Sequence, residues 1–231
     1  MRLLMTRPEP DASHSAQRLR ALGHEVIISS VMETKFSNAP LSGPYETFVV
    51  TSRNGARALF KLLPNEKKAT IYTVGDATAE LLCDSGFQNV HSASGTVNEL
   101  VDLITSNNVK QLTYICGRDR KGNLEGRLEA KGLSVKLEER YQTEFANSFS
   151  QLARDAISNR GLDGVLIYSA RSAEAYLEIA ERENLSYSTK KLPYFCLAKN
   201  ITTVFHQGEH KRVFTAATPD ENALFKLLQA A

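Results

Sequence analysis

Five short stretches of this 231-residue chain set a cation beside hydroxyl, amide or glycine residues: Thr6-Arg7, Thr51-Ser52-Arg53-Asn54, Gly117-Arg118-Asp119-Arg120, Ser169-Ala170-Arg171-Ser172 and Ala198-Lys199-Asn200. Each follows an apolar run of strand length. In an open α/β sheet such places form the edge where strands end and helices begin, and backbone N–H groups there already favour anions. Cations recurring at equivalent turns point to a polyanionic ligand held in a cleft between two domains. Taken singly, each arginine reads more simply as a helix cap or a surface ion-pair partner, so the recurrence carries the argument. Tyr141 adds a second chemistry: it lies in a long extended stretch, where a phenol can move a proton or hydrogen-bond. Packing between domains with a wet hydroxyl is its plainer role.

Other constellations fail on spacing. Cys83, Cys116 and Cys196 include no CxxC pair and indicate neither a disulfide framework nor a zinc site. His206 and His210 are four apart, but Gly208 stands between them in an expected turn, which argues against a metal pair. Val74-Gly75-Asp76-Ala77-Thr78 lacks GxGxxG, and the basic stretch from Gly117 to Asn123 lacks the GK[ST] ending of a P-loop, so neither signals a nucleotide. With 28 Lys and Arg against 26 Asp and Glu, the net charge of +2 argues on composition against nucleic acid as a partner. No apolar run reaches the length of a membrane span, and Pro8 and Pro10 interrupt the N-terminus too early for an export signal. The expected location is the cytoplasm.

The elements that must position these residues repeat. Residues 24–36 (HEVIISSVMETKF) and 133–145 (LSVKLEERYQTEF) follow Gly23 and Gly132, and an offset of 109 also relates Leu19 to Leu128, Val26 to Val135, Thr34 to Thr143 and Phe36 to Phe145. Both stretches are about twice an ordinary strand and read as connectors that begin in a sheet and continue into a second domain, side by side. Ser52 and Ser169 are 117 apart, Leu100 and Leu224 are 124 apart, and Tyr141 has Met32 as its mate. The chain is an internal duplication, about 1–109 and 110–231, of strands alternating with helices, which implies parallel sheets covered on both faces. Asp11 is the expected cap of the first helix, 38–44 (NAPLSGP) a linker, and Ser94-Gly95-Thr96 a helix start.

In order and spacing, Thr6-Arg7-Pro8, Thr51-Ser52-x-Asn54-Gly55, Val74-Gly75-x-x-Thr78-Ala79, the run Gly117 to Arg127, Gly132-x-x-Val135, Tyr141-x-Thr143 and Pro219 before Ala223-Leu224 resemble uroporphyrinogen-III synthases over essentially the whole chain. The resemblance implies two parallel-sheet, flavodoxin-like α/β domains joined by a two-stranded β ladder, one from 1–36 and 146–231, the other from 37–145. It implies a monomeric cyclising carbon-oxygen lyase (hydro-lyase) of haem biosynthesis. Such enzymes close the linear tetrapyrrole hydroxymethylbilane to uroporphyrinogen III with inversion of the last ring, using no metal or cofactor and touching neither nucleic acid nor membrane. A transient contact with the preceding pathway enzyme is compatible with an unstable substrate. By motif, Tyr141 matches the tyrosine thought to assist the leaving hydroxyl, and Ser52 and Thr78 lie on matching cleft loops; with the strand-end cations Arg7, Arg53, Arg118, Arg171 and Lys199, and Ser94, they are the expected substrate contacts. Many members carry Gly-Pro-x-Thr-Ala where this chain has Ala198-Lys199-Asn200-Ile201-Thr202, so a threonine contact there gives way to Lys199 as the anion partner. The alternative from another class is a non-catalytic two-domain anion-binding protein or sensor.

Overall fold

The computed structural model describes residues 1–41, 46–120, 122–207 and 210–229. Positions 42–44 of the expected linker, Lys121 of the basic stretch and Gly208 of the expected turn lie outside the described residues. The chain divides into two units, Met1–Glu33 with Glu144–Ala231, and Thr34–Thr143.

The first unit is built on a five-stranded sheet of β1 (Arg2–Met5), β2 (Glu25–Ile28), β9 (Gly164–Ile167), β10 (Tyr194–Cys196) and β11 (Val213–Thr215), in the order β11-β10-β9-β1-β2. All four pairings are parallel. Side chains alternate across the sheet, so both faces must be covered. Leu4, Val165, Ile167 and Tyr194 pack with helices α6 (Gln151–Ser158), α7 (Ala170–Arg182) and α9 (Lys199–Gln207) on one face, the short α8 (Ser186–Thr189) lying between α7 and β10 in the chain. Leu3, Met5, Leu166 and Phe195 pack with α1 (Asp11–Ala21) and α10 (Glu221–Leu227) on the other.

The second unit repeats the plan with β3 (Met32–Phe36, its first two residues counted in the first unit), β4 (Thr47–Val50), β5 (Thr70–Thr73), β6 (Asn89–Ser92), β7 (Gln111–Gly117) and β8 (Ser134–Phe145, its last two residues counted in the first unit), ordered β3-β8-β7-β4-β5-β6. One face buries Val49, Tyr72, Leu112 and Tyr114 against α4 (Val97–Ser106) and α5 (Leu124–Glu129). The other buries Phe48, Val50, Ile71 and Ile115 against α2 (Arg53–Leu62) and α3 (Asp76–Asp84).

The duplication reaches into the register. Arg2 opposes Glu25 and Gln111 opposes Ser134, both pairs related by 109. Ile71 opposes Val90 and Tyr194 opposes Val213, both related by 123. Apart from β3, each sheet therefore takes two strands from one half of the sequence and three from the other. Gly23 and Gly132 both adopt φ +85°, closing α1 and α5 with the same paired bonds: His24 N–H to Leu19 O (3.1 Å) and Leu133 N–H to Leu128 O (3.2 Å). Glycine is the residue that takes this left-handed position without steric cost.

Two expectations change. The run 24–36 is not one extended strand: it breaks at 29–31, where Ser29 N–H goes to Met5 O and Val31 N–H to Thr6 O, and only β3 beyond the break lies beside β8. The second run keeps its length because β7 pairs with it from Ser134 to Tyr141, absorbing one irregularity at Cys116/Gly117. Asp11 does not cap α1. Pro10 (φ −84°, ψ −2°) already enters in helical conformation, which makes Asp11 the first helical residue, and the Glu9 carboxylate accepts the Ser13 N–H at 3.0 Å instead.

Candidate active site at the strand ends of the second unit

The parallel strands of the second unit end on one edge, where Ser52, Gly75 and Ser94 follow β4, β5 and β6 and Gly117 closes β7. Ser52 is the N-cap of α2, extended at φ −150°, and its Oγ accepts the Gly55 N–H at 3.0 Å. The same Oγ lies 2.7 Å from the Tyr141 hydroxyl. Gly55 permits this tight turn, since a Cβ there would stand 2.9 Å from Val50 Cγ1 and 3.2 Å from Ile115 O. Gly117 does the same for the phenol: a Cβ on it would lie 2.6 Å from Tyr141 Cε2. The Arg118 N–H donates to Tyr141 O at 2.9 Å, so main chain as well as side chain fixes this residue. Thr51 Oγ1 and Tyr114 OH, 3.0 Å apart, continue the row of hydroxyls.

Burial raises the Tyr141 pKa above its ordinary value, against the lowering effect of the Ser52 hydrogen bond and the Gly117 N–H. The phenol is thus neutral across ordinary pH, a proton donor with its oxygen already supported on one side. Arg53 and Arg118 are exposed on the same edge, with the Arg118 guanidinium 3.4 Å from Gln142 Oε1. Arg120, in the same basic stretch, is instead paired with Glu125 and Glu139 at 2.7 and 2.9 Å. Thr78 is buried in the first turn of α3. Ser94, exposed at φ 55°, donates to Asp76 Oδ1 at 2.8 Å. Hydrogen bonds from Ser92 and Ser94 hold the Asp76 carboxyl below the usual range, so this part of the edge carries a negative charge that the motifs do not announce.

The remaining expected contacts belong to the first unit. Arg171 lies 5.9 Å from the centroid of Phe145, and Lys199 is exposed at the start of α9. Thr202 turns its hydroxyl back to Lys199 O at 2.7 Å. Arg7 is engaged by its own fold: it donates to Ser15 (2.9 Å) and Glu221 (3.0 Å), pairs with Asp11 (3.4 Å) and stacks 4.4 Å over Tyr168. The shared register also gives Arg7 Cys116 as its mate in β7, and not Arg118. Nothing in the sequence marks Glu221, 214 positions away, as the partner of Arg7.

His210 is a core residue, packed edge-on against Tyr194 (5.1 Å) and Phe205 (5.4 Å). Among the described residues no cluster of His, Cys, Asp and Glu could hold a metal ion, and no helix is long and apolar enough to cross a membrane.

Two parallel α/β units of one topology, each assembled from both halves of a duplicated chain, with a supported phenol at a strand edge, define a duplicated three-layer α/β protein. The sequence profile described as uroporphyrinogen-III synthase HemD matches residues 13–226, and the chain belongs to that family. A uroporphyrinogen-III synthase of Saccharomyces cerevisiae is 33% identical over 102 residues, a stretch that covers 38% of this chain and 37% of the yeast protein. Among solved structures, the uroporphyrinogen-III synthetase of Helicobacter pylori 26695 matches with a TM-score of 0.64 at 16% identity, over 100% of this chain and 99% of that one. A mutant uroporphyrinogen III synthase of Thermus thermophilus gives 0.51 at 14%, over 100% and 96%. At these identities the structural likenesses speak for the fold.

Proposed function

We propose that this chain is a cytoplasmic uroporphyrinogen-III synthase, a cyclising hydro-lyase that closes hydroxymethylbilane with inversion of its last ring. Membership of the family over residues 13–226 supports the reaction class. The observation that carries the site is the neutral Tyr141 phenol, held by Ser52 at 2.7 Å and seated on Gly117. Loss of the terminal hydroxyl needs a proton at the departing oxygen, and a phenol whose own oxygen is already supported can give one. The substrate closes without help to the unrearranged isomer, so the larger task is to hold the last ring in the less accessible geometry.

Arg53, Arg118, Arg171 and Lys199 are the proposed carboxylate partners, with Ser52, Thr78 and Ser94 as neutral contacts. Arg7 is assigned to the fold, because Glu221 and Asp11 neutralise it. The proposed domains are 1–36 with 146–231 and 37–145, which the division at 33/34 and 143/144 supports. The test is isomer analysis. Hydroxymethylbilane is incubated with and without the protein, and the oxidised products are separated; this reading requires a shift from type I to type III. A protein that merely delays formation of type I is a binder, the competing class.

A further inference from the structure

We infer that the first unit carries a second anion site, at the edge of its sheet where the strands begin, built for a flat organic polycarboxylate. A cavity of about 550 Å³ opens among the loops that lead into β9, β10 and β11. That volume lies within the range of small-molecule pockets. Arg160, Lys191 and Arg212 line it, one from each of the three loops, while Phe195 and Leu228 supply apolar wall. The single carboxylate in the lining, Asp163, already accepts the Arg2 backbone N–H at 2.6 Å. Lys191 bonds the Tyr187 hydroxyl at 2.7 Å, a neutral partner that leaves its charge uncompensated. Among the described residues none of the three cations is in an ion pair with a carboxylate.

The duplication supplies the second observation. By the shared registers, Asp163, Lys191 and Arg212 correspond to Glu46, Lys68 and Asn89 of the second unit. The matching edge there is lined by Glu46 and Glu66 as well as Lys67 and Lys68, a mixed and nearly neutral set. The fold alone therefore does not require the positive edge; among the described residues only the first unit has it. Arg160 adds to the contrast, since it holds a left-handed backbone (φ 54°) at the end of α6, a position where Gly or Asn is the unstrained choice. Cations spread over three loops around an apolar wall suit several carboxylates on one flat body, to each of which a guanidinium fork can donate two N–H bonds.

Calorimetric titration of the full chain with benzene-1,3,5-tricarboxylate, inorganic phosphate and neutral benzamide tests the site. The tricarboxylate should bind with a Kd below about 1 mM. Arg212→Gln and Arg160→Gln should each weaken it about tenfold, the effect of one charge-assisted contact. Lys68→Gln, on the matching edge of the second unit, should change nothing, and the thermal melts of the unliganded variants confirm that each is folded. The inference is overturned by equal affinity in parent and both arginine variants, by phosphate binding as tightly as the tricarboxylate, or by a tricarboxylate Kd above about 1 mM. These readouts are independent of the isomer assay, so either proposal can fail while the other stands.

Discussion

Ser52 meets the Tyr141 hydroxyl at 2.7 Å with the same oxygen that caps α2. One lone pair of that oxygen is taken by the Gly55 N–H. Ser52 can still donate its own proton to the phenol oxygen, which leaves the phenol proton free to point at a ligand. The mates in the other unit show the device absent. Ser169 caps α7 through the Ser172 N–H at 3.0 Å, Ser172 replaces Gly55, and Ser172 Oγ lies 3.7 Å from the sulfur of Met32, the counterpart of Tyr141. One scaffold built twice thus holds a phenol in one copy and a thioether in the other.

Tyr141→Phe should slow turnover about ten- to a hundredfold, since positioned acids contribute roughly 10² to 10⁴ and water can substitute in part. The pH profile gives the sign. An acid must be protonated to act, and burial raises this pKa, so no Tyr141-linked loss of rate is expected until the pH exceeds about 10, the ordinary tyrosine value. Steady-state rates of the variant equal to those of the parent would reduce Tyr141 to packing.

Ser52→Ala and Ser169→Ala separate the cap from the chemistry. Each removes an N-cap and should cost about 1 kcal/mol in urea unfolding. Only Ser52→Ala also strips the Tyr141 oxygen of its partner, so only it should lower turnover. A matched loss of rate in both would mean that the cap alone is felt.

The fold is legible because periodicity and repetition are properties of the sequence: strands alternating with helices force two covered parallel sheets, and the 109 offset reappears as strand register. The geometry of the candidate site is legible only where it is local. Tyr141 stands out by its position in a long strand and Ser52 by its turn. Gly117 reads as part of a basic loop, because a close approach between residues 24 apart leaves no periodic trace. Arg7 reads as an anion binder because its neutralising partner, Glu221, lies at the far end of the chain.

Gly117→Ala tests that close approach. The added carbon would fall 2.6 Å from Tyr141 Cε2, so the ring must move and leave Ser52. Turnover should drop as far as in Tyr141→Phe, and the double variant should lose little more than either single one, because both act through the same hydroxyl. Fully additive losses would show that Gly117 acts elsewhere.

His210 predicts an acid-side weakness. Burial pushes its pKa below the ordinary value, so the folded state keeps it neutral while the unfolded chain protonates near pH 6.5. Its contribution is therefore present above pH 6.5 and is lost as the pH falls toward the folded pKa. One group accounts for at most about 1.4 kcal/mol per pH unit. Urea unfolding at pH 7 and pH 5 should show a smaller drop in His210→Leu than in the parent, and equal drops would exclude the residue as the source.

Glu221→Gln decides what Arg7 is for. Burial alone would raise the Glu221 pKa, but hydrogen bonds from Ser15 and Tyr168 and the charges of Arg7 and Arg18 outweigh it and hold the carboxyl below its usual range. A depressed carboxyl contributes stability above its unfolded pKa and loses it as the pH falls. The side chains of Arg7 and Glu221 are 12% and 17% exposed, so removing the charge leaves a largely buried guanidinium without its closest anion. Breaking a fully buried pair costs about 3 to 5 kcal/mol, and with Asp11 still 3.4 Å from Arg7 a loss of about 2 is expected at pH 7. The gap between parent and variant should begin to narrow as the pH falls below about 4.5, the ordinary carboxyl value, and close only as it passes through the depressed folded pKa. If Arg7 instead waits for a substrate carboxylate, Glu221→Gln would leave stability unchanged and lower KM by releasing the cation. Chemical unfolding and steady-state kinetics on the one variant therefore distinguish a structural arginine from a binding one.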